Sequence, residues 1–395
     1  MSAVLFTLLL EDASSILWDV VIVGAGCAGS VAARQLALGG AKVLLVDKAS
    51  FPRWKVCGCC ISRPTQQILN KIGLGQLLAE NGAVPADRFH VALKGKSADV
   101  QLPGYYLLSR ERFDVELIQS AIDAGAHFLP KTQATLDAVF DDCRTIQLRT
   151  AESEATVKAK VVLAADGLGG RLLRATDEFE STAKEDSRIG GGAVSSGAPG
   201  FYKPGVIYMA CSENGYVGSG RIEDGRLVIA SACDPEFVKS QGGLAEASAS
   251  ILADAGFAPI ADIYDIPWRG TPALTRSVTK VAAHRAFVLG DAAGYVEPFT
   301  GEGMKWGICS AVALSKIVLR AVQHYDQRLE AEWEREYRKV VTSDQNTCRM
   351  LAAGLRWPKL LSTALSLVSA VPFVAAPFVS RLNTHVACQQ EVVSP

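Results

Sequence analysis

The chain carries no surplus of positive charge: 40 Lys and Arg stand against 41 Asp and Glu, a formal net charge of −1. Phosphate-rich partners need a basic footprint, and no long Lys/Arg run supplies one, so nucleic acid is excluded as a partner. Histidine is scarce. His90, His127, His284, His324 and His385 are dispersed without ligand spacing, so no metal centre is expected. Neither a nucleophile elbow nor a triad pattern occurs, and no internal repeat or low-complexity linker is visible. Met1 to Leu10 is apolar but has no basic n-region, and Glu11-Asp12 stand where small residues should precede cleavage. A secretory signal is therefore not expected, and the ten cysteines read as reduced thiols of a cytoplasmic protein.

What is present is apolar mass. Hydrophobic residues make up 49% of 395 residues, enough to bury a large core in two packed domains. Leu360 to Val379 is a run of twenty uncharged residues, long enough to cross a bilayer. Pro372, Pro377 and four hydroxyl residues interrupt it, so a buried terminal helix or a membrane-surface contact fits better than a spanning helix.

Trp18 to Val23 reads as a buried parallel strand, followed by a glycine turn, a helix over 30–38 and a second strand, Lys42 to Val46. The turn is Gly24-Ala25-Gly26-Cys27-Ala28-Gly29. Gly24 permits the sharp turn, Gly26 lets the backbone approach a pyrophosphate, and Gly29 allows close helix–strand packing. The helix N-terminus offers N–H groups to the phosphates, while Asp47, with Lys48 behind it, ends the second strand where a carboxylate accepts from ribose. This unit binds a dinucleotide but does not separate NAD from FAD.

Two further motifs close buried strands. Ala164-Ala165-Asp166-Gly167 precedes Arg171 and Arg174; Val288-Leu289-Gly290-Asp291-Ala292-Ala293-Gly294 precedes Pro298-Phe299-Thr300-Gly301-Glu302-Gly303-Met304. Over roughly residues 18 to 320, the three motifs in this order resemble the flavoprotein superfamily of aromatic-ring hydroxylases and geranylgeranyl reductases. The resemblance implies FAD, with Asp291 on the ribityl chain and the loop of Pro298, Gly301, Glu302, Gly303 and Met304 along the flavin pyrimidine edge. A helix opening near Gly303 would direct N–H groups at the edge where reduced flavin gathers charge. A helix N-cap is the structural alternative for Asp291. Asp166-Gly167 resembles the motif tied to FAD and the nicotinamide cofactor, although Gly170 stands where the family usually has Ser.

Phe51-Pro52-Arg53-Trp54-Lys55-Val56-Cys57-Gly58 resembles the corresponding reductase loop, which implies that Arg53 and Arg110 approach FAD. A guanidinium fork suits phosphate oxygens; the competing reading leaves Arg110 on the surface. Cys57, Cys59 and Cys60 lack the further ligands zinc requires, which leaves apolar packing, the favoured reading, and a redox thiol beside the flavin. Cys57, Gly58, Pro298, Gly301 and Gly303 are the flavin-proximal candidates for a catalytic role. Trp268 reads as core.

The expected fold is α/β: a Rossmann-type FAD-binding domain, p-hydroxybenzoate hydroxylase-like, of segments 16–75, 100–180 and 280–325. A β-rich substrate domain, 76–99 and 181–279, is interleaved with it, and 326–395 forms a C-terminal helical region with the apolar tail. Within 190–281, Gly215-Tyr216-Val217-Gly218 and Glu223-Asp224-Gly225-Arg226 read as turns. The favoured function is a monooxygenase for a hydrophobic aromatic, polyketide or isoprenoid-like substrate. NAD(P)H would be a transient reductant, contacted by Arg53, Arg171 or Arg174, because no second glycine fingerprint exists. The alternatives are an ene-reductase of lipid double bonds and a flavoprotein that matures a partner protein. The reductase branch typically carries a Tyr-x-Trp-x-Phe-Pro signature, and this chain has Tyr216-Val217-Gly218-Ser219 instead. The Trp-x-Trp-x-Ile-Pro motif of halogenases is absent.

Overall fold

The computed structural model describes residues 4–297, 299, 301–357, 362–363 and 366–367. The apolar strand Leu17–Val23 takes the middle of a sheet, where it pairs in parallel with Val43–Val46 on one side and Glu154–Ala164 on the other. Ala286–Val288 and His127–Leu129 extend this parallel core outwards. Near-continuous Val, Ile and Leu suit strands covered on both faces. The helix Cys27–Leu38 covers one face, and its small residues admit the long helix Gly303–Gln323 closely: a Cβ on Gly307 would lie 3.4 Å from Ala28 Cβ. That second helix is apolar and long enough to cross a membrane, but 72% of its apolar stretch is buried in this core.

A second sheet runs in the order Arg269–Ala273, Ile189–Ser195, Leu227–Cys233, Gly215–Arg221, Val206–Ser212, Val84–Leu93, Lys96–Leu107, Cys60–Ile61. One face carries Val217 and Ile229 against Ile251 and Leu252 of the helix Leu244–Asp254. The other face carries Val91, Met209, Tyr216 and Ala232 towards the first sheet. Gly215–Gly218 thus lies in a strand, not a turn. The glycines that suggested a turn form the flat side of the sheet, and the neighbouring strands supply the hydrogen bonds a turn would have made. The turn at 223–226 is present, with Gly225 at φ +83° and Ile222 N–H bonded to the Arg226 carbonyl at 3.0 Å. The helices Pro235–Gln241 and Leu244–Asp254 interrupt the region expected to be β-rich. The expected change of domain at 99/100 falls inside the strand Lys96–Leu107. Trp268 packs against the core under the second sheet and donates to the Ile263 carbonyl at 2.8 Å.

The chain returns to the first sheet and ends, as described, in helices. Arg328–Tyr337, a π turn at Arg338–Thr342 and Ser343–Leu355 run on without a break. Buried Trp333 donates to the Val288 carbonyl at 3.0 Å, Tyr337 to that of Ala293 at 3.1 Å, and Gln345 to that of Gly294 at 3.2 Å. These helices therefore clamp the turn that follows Ala286–Val288.

Candidate cofactor and substrate cavity

Three strand ends meet at the mouth of the first sheet. Gly24 holds φ +107°, and a Cβ there would sit 2.3 Å from the Ala165 carbonyl oxygen, so only glycine fits between these strand ends. A Cβ on Gly29 would fall 1.8 Å from the Gly24 carbonyl, which fixes how tightly the helix closes on the turn. Gly26 faces open space bounded by guanidinium groups: its Cβ would lie 3.6 Å from Arg53 Nη2 and 3.8 Å from Arg110 Nη2. A backbone turn with free N–H groups, opposed by two arginines, is the donor set a pyrophosphate requires.

Arg110 is buried, contrary to the surface alternative. It grips Asp114 through Nε and Nη2, both at 2.9 Å, and the carboxylate compensates a charge that burial alone would disfavour. Arg53 lies over the Phe51 ring at 4.8 Å, reaches Asp114 at 3.6 Å and Asp47 at 4.0 Å, and its buried Nε has no partner. Asp47 is partly committed already, since it accepts from Ala25 N–H and Ala49 N–H at 2.8 Å each. It shapes the glycine turn as well as facing the cavity, which Lys48 and Ala28 also line.

Asp166 Oδ2 accepts from the Arg171 and Leu172 N–H groups at 2.7 and 3.0 Å, while its buried Oδ1 has no partner. Burial raises its pKa above the usual carboxylate value. Gly170, where the family has Ser, is pressed against this carboxylate: a Cβ would lie 2.4 Å from Oδ1. Gly167 holds φ +78° beside the Lys55 ammonium. Arg171 is exposed; the Arg174 side chain lies outside the described residues.

Asp291 sits in the short turn Gly290–Ala293, where among the described residues its one ion pair is with Lys55 at 3.5 Å and its side chain stays partly exposed. Its cap reading does not hold, because the long helix opens twelve residues later at Gly303. Gly290, at φ +62°, packs its backbone on Ala28. Pro298 and Thr300 lie outside the described residues, but Gly301 at φ +75° packs beside Cys60, and Gly303 and Met304 line the cavity. Glu302 is fully buried with Lys305, Nζ to Oε2 2.6 Å, and Lys305 also reaches Asp344 of the C-terminal helix at 2.9 Å. Burial raises the Glu302 pKa, while Lys305 opposes that shift.

The thiols occupy the loop opposite. Cys59, at φ +57°, directs its N–H to Cys57 Sγ at 3.3 Å, and Cys60 Sγ donates to the Gly58 carbonyl at 3.3 Å. The hydrogen bond from the Cys59 thiol brings the Cys57 pKa down to about 6, with Arg110 assisting against burial. Burial pushes Cys60 up to about 12. Cys57 lines the cavity with its thiol pKa held below the ordinary value. No disulfide joins the nine cysteines of the described region.

One cavity of about 1020 Å³ joins these parts. It runs from Gly26 and Asp47, past Asp291 and Cys57, to the inner face of the second sheet, where Phe89, Met209, Tyr216, Gly218 and Phe299 form apolar walls. The lobe at the second sheet is concave and mostly apolar. The glycine cradle, the paired arginines, the orphaned Asp166 oxygen and the open Asp291 together fit FAD. Sequence reasoning missed the far lobe, and also the buried pair of Arg188 with Glu297, 3.1 Å apart across 109 residues. No local spacing signals such a pair.

The FAD binding domain family matches residues 18–344. The chain is 30% identical over 352 residues to digeranylgeranylglycerophospholipid reductase 1 of Methanothermobacter thermautotrophicus, covering 82% of this chain and 83% of that one. It is 27% identical over 333 residues to the menaquinone reductase of Mycobacterium tuberculosis, 73% and 74% of the two chains. Among solved structures, the fold resembles p-nitrophenol 4-monooxygenase of Pseudomonas putida, with TM-score 0.75, 16% identity and coverage of 93% and 99%. A flavin-dependent brominase has the same fold, with TM-score 0.78, 14% identity and coverage of 93% and 94%.

Proposed function

The chain belongs to the FAD binding domain family and is an FAD-dependent oxidoreductase, and from that premise we propose an NAD(P)H-linked monooxygenase of a hydrophobic aromatic, polyketide or isoprenoid-like molecule. The observation that carries this reading is the apolar far lobe, walled by Phe89, Phe299 and Tyr216, opening directly onto the cofactor cradle. Bound FAD would supply the redox chemistry, with substrate, O₂, NAD(P)H and a proton giving hydroxylated product, water and NAD(P)⁺. Arg53, Arg110 and the 24–29 turn would hold the pyrophosphate, and Asp47 and Asp291 the two sugar-like chains. The glycine at 303 opens a helix whose N–H groups face the cavity end where negative charge is best received. The greasy walls align the substrate and keep water out.

A second reading, reduction of isolated double bonds in a lipid tail, is favoured by the 30% identical archaeal relative and by the Cys57–Cys59 pair. In that case the pair would hold the proton that a saturated carbon must gain. Entry from a membrane surface suits either substrate, since Met350 and Leu367 border the cavity and are exposed, as is Trp357. Most of the apolar run 360–379 lies outside the described residues. The deciding experiment measures NAD(P)H and O₂ consumption by the holoenzyme across long-chain phenols and polyprenyl lipids. Substrate-stimulated NAD(P)H oxidation with ¹⁸O from O₂ in the product is expected. A saturated product formed under strict anaerobiosis, with no oxygen incorporated in air, would establish the reductase instead.

A further inference from the structure

We propose that Cys57 and Cys59 form a peroxide-responsive dithiol in the cavity wall: hydrogen peroxide oxidises Cys57, and Cys59 resolves it as a reversible disulfide. This goes beyond the cavity's role as a substrate site and does not depend on whether that substrate is hydroxylated or reduced.

Access narrows the choice of the first thiol. Of the nine described cysteines seven are buried, and Cys57 and Cys60 are half-buried on the cavity wall. These two are not equivalent. Cys60 donates its thiol to the Gly58 carbonyl at 3.3 Å, and burial pushes its pKa up to about 12, so it stays protonated. The Cys57 sulfur is instead an acceptor: the Cys59 N–H points at it from 3.3 Å, and the Arg110 guanidinium bonds to it as well. A sulfur surrounded by donors is the one able to carry the negative charge of a nucleophile.

Cys59 supplies the partner. Its backbone is left-handed, φ +57°, which is uncommon for a residue with a side chain. That conformation swings the side chain back over residue 57, where Sγ lies 3.7 Å from the Cys57 carbonyl oxygen and the thiol donates to the Cys57 sulfur. Residues two apart along a chain lie at most about 7 Å apart, close to the roughly 4.4–6.8 Å that a disulfide spans. Gly58 between them leaves the closure unhindered, since a Cβ there would meet only Cys60 Sγ, at 3.9 Å. Burial of Cys59 suits a resolving thiol, which meets the neighbouring sulfur and never the oxidant.

The oxidant is hydrogen peroxide, which flavins yield when oxygen takes their electrons without reaching a substrate. The Cys57 thiolate attacks one peroxide oxygen: an S–O bond forms, the O–O bond breaks, and the departing hydroxide takes up the thiol's proton as water. The Cys59 sulfur then displaces the hydroxyl of the sulfenic acid, and its own proton leaves with that hydroxyl as a second water. Two thiols and one peroxide become one disulfide and two waters, the sulfurs losing the two electrons that the peroxide gains. Without Cys59, a second peroxide would carry Cys57 on to sulfinic acid, which thiols do not reverse.

The test treats the FAD-loaded protein with a small excess of hydrogen peroxide, alkylates it with iodoacetamide under denaturing conditions and reads the peptides by mass. In the wild type, Cys57 and Cys59 should be linked, Cys60 alkylated, and dithiothreitol should restore both thiols. Cys59→Ser should instead show sulfenic acid at Cys57, trapped by dimedone, and should reach sulfinic acid at least about tenfold faster than the wild type. Cys59→Gly, which keeps the left-handed backbone without the thiol, should match Cys59→Ser, and Cys60→Ser should match the wild type. Flavin content and melting temperature verify that each variant is folded. A disulfide to Cys60 in place of Cys59, sulfinic acid formed at the wild-type rate in both Cys59 variants, or oxidation of Cys57 no faster than of the buried cysteines would each overturn the proposal. No readout involves substrate turnover, so such a failure leaves the proposed function untouched, and absence of O₂ incorporation would remove the monooxygenase reading alone.

Discussion

Asp47 directly follows one strand of the first sheet and Asp291 lies in the turn after another, and their surroundings differ. Asp47 is tied to two backbone N–H groups that shape the glycine turn, whereas Asp291 has, among the described residues, one ion pair, with Lys55 at 3.5 Å. Replacing Asp47 by Ala should therefore lower stability, by about 1–3 kcal/mol for the donors left without an acceptor. Replacing Asp291 by Ala should leave the melting of the apoprotein unchanged and reduce the flavin-to-protein ratio more than Asp47→Ala does. Absorbance of the purified variants measures the ratio and calorimetry the stability. Full flavin retention by Asp291→Ala would deny the carboxylate any part in holding the cofactor. The positions of both acids after buried strands were legible in the sequence, because the strand patterns are local. Tyr216, Gly218 and the Arg188–Glu297 pair were not. Their meaning depends on which strands become neighbours, and residues 109 apart have no local pattern to announce a contact.

At the scale of elements, the strand–turn–helix unit at residues 17–38 and the long helix from Gly303 follow from hydrophobic spacing and glycine placement, and the structure has them within a few residues. The 215–221 strand shows the opposite case. Glycine punctuates turns in isolation, but here it serves a strand that needs a bare face over a cavity. The 51–61 loop was legible by resemblance only, and its chemistry comes from how it folds back on itself. Because Cys59 donates to Cys57, and Arg110 stands behind, the Cys57 thiol titrates near 6, below its ordinary value of 9.0. The thiolate is the reactive form, so alkylation of Cys57 by iodoacetamide should rise between pH 5 and 7 and then level off. The Cys60 pKa, pushed up to about 12, keeps that residue slow over the same range. Cys59→Ala removes the largest cause of the shift and should move the Cys57 midpoint upward by more than one pH unit. Peptide mass spectrometry resolves the three positions. A wild-type midpoint near 9 would return the cluster to a packing role.

For the whole molecule, the question is whether the two sheets act as one body around the cofactor. Several buried ties cross between them. Arg188, beside the second sheet, holds Glu297 at 3.1 Å with both side chains almost wholly buried. Tyr295 packs against the cores of both layers, and Cys57 bridges the first core and the cluster around Leu107. Breaking a buried ion pair by removing one partner costs roughly 3–5 kcal/mol, so the layers are not free to part without penalty. The cradle at Gly26, the loop at Cys57 and the turn at Asp291 come from three distant stretches of chain, and a ligand bound among them is stabilised only when all three are in place. FAD at a thousandfold excess over its Kd adds about 4 kcal/mol to the folded state. Calorimetry of the apoprotein with increasing FAD should accordingly show one transition that moves upward as a whole, by several degrees. Two transitions, of which only one responds to FAD, would mean that the β-rich layer folds independently and that the far lobe is formed by docking of a separate body.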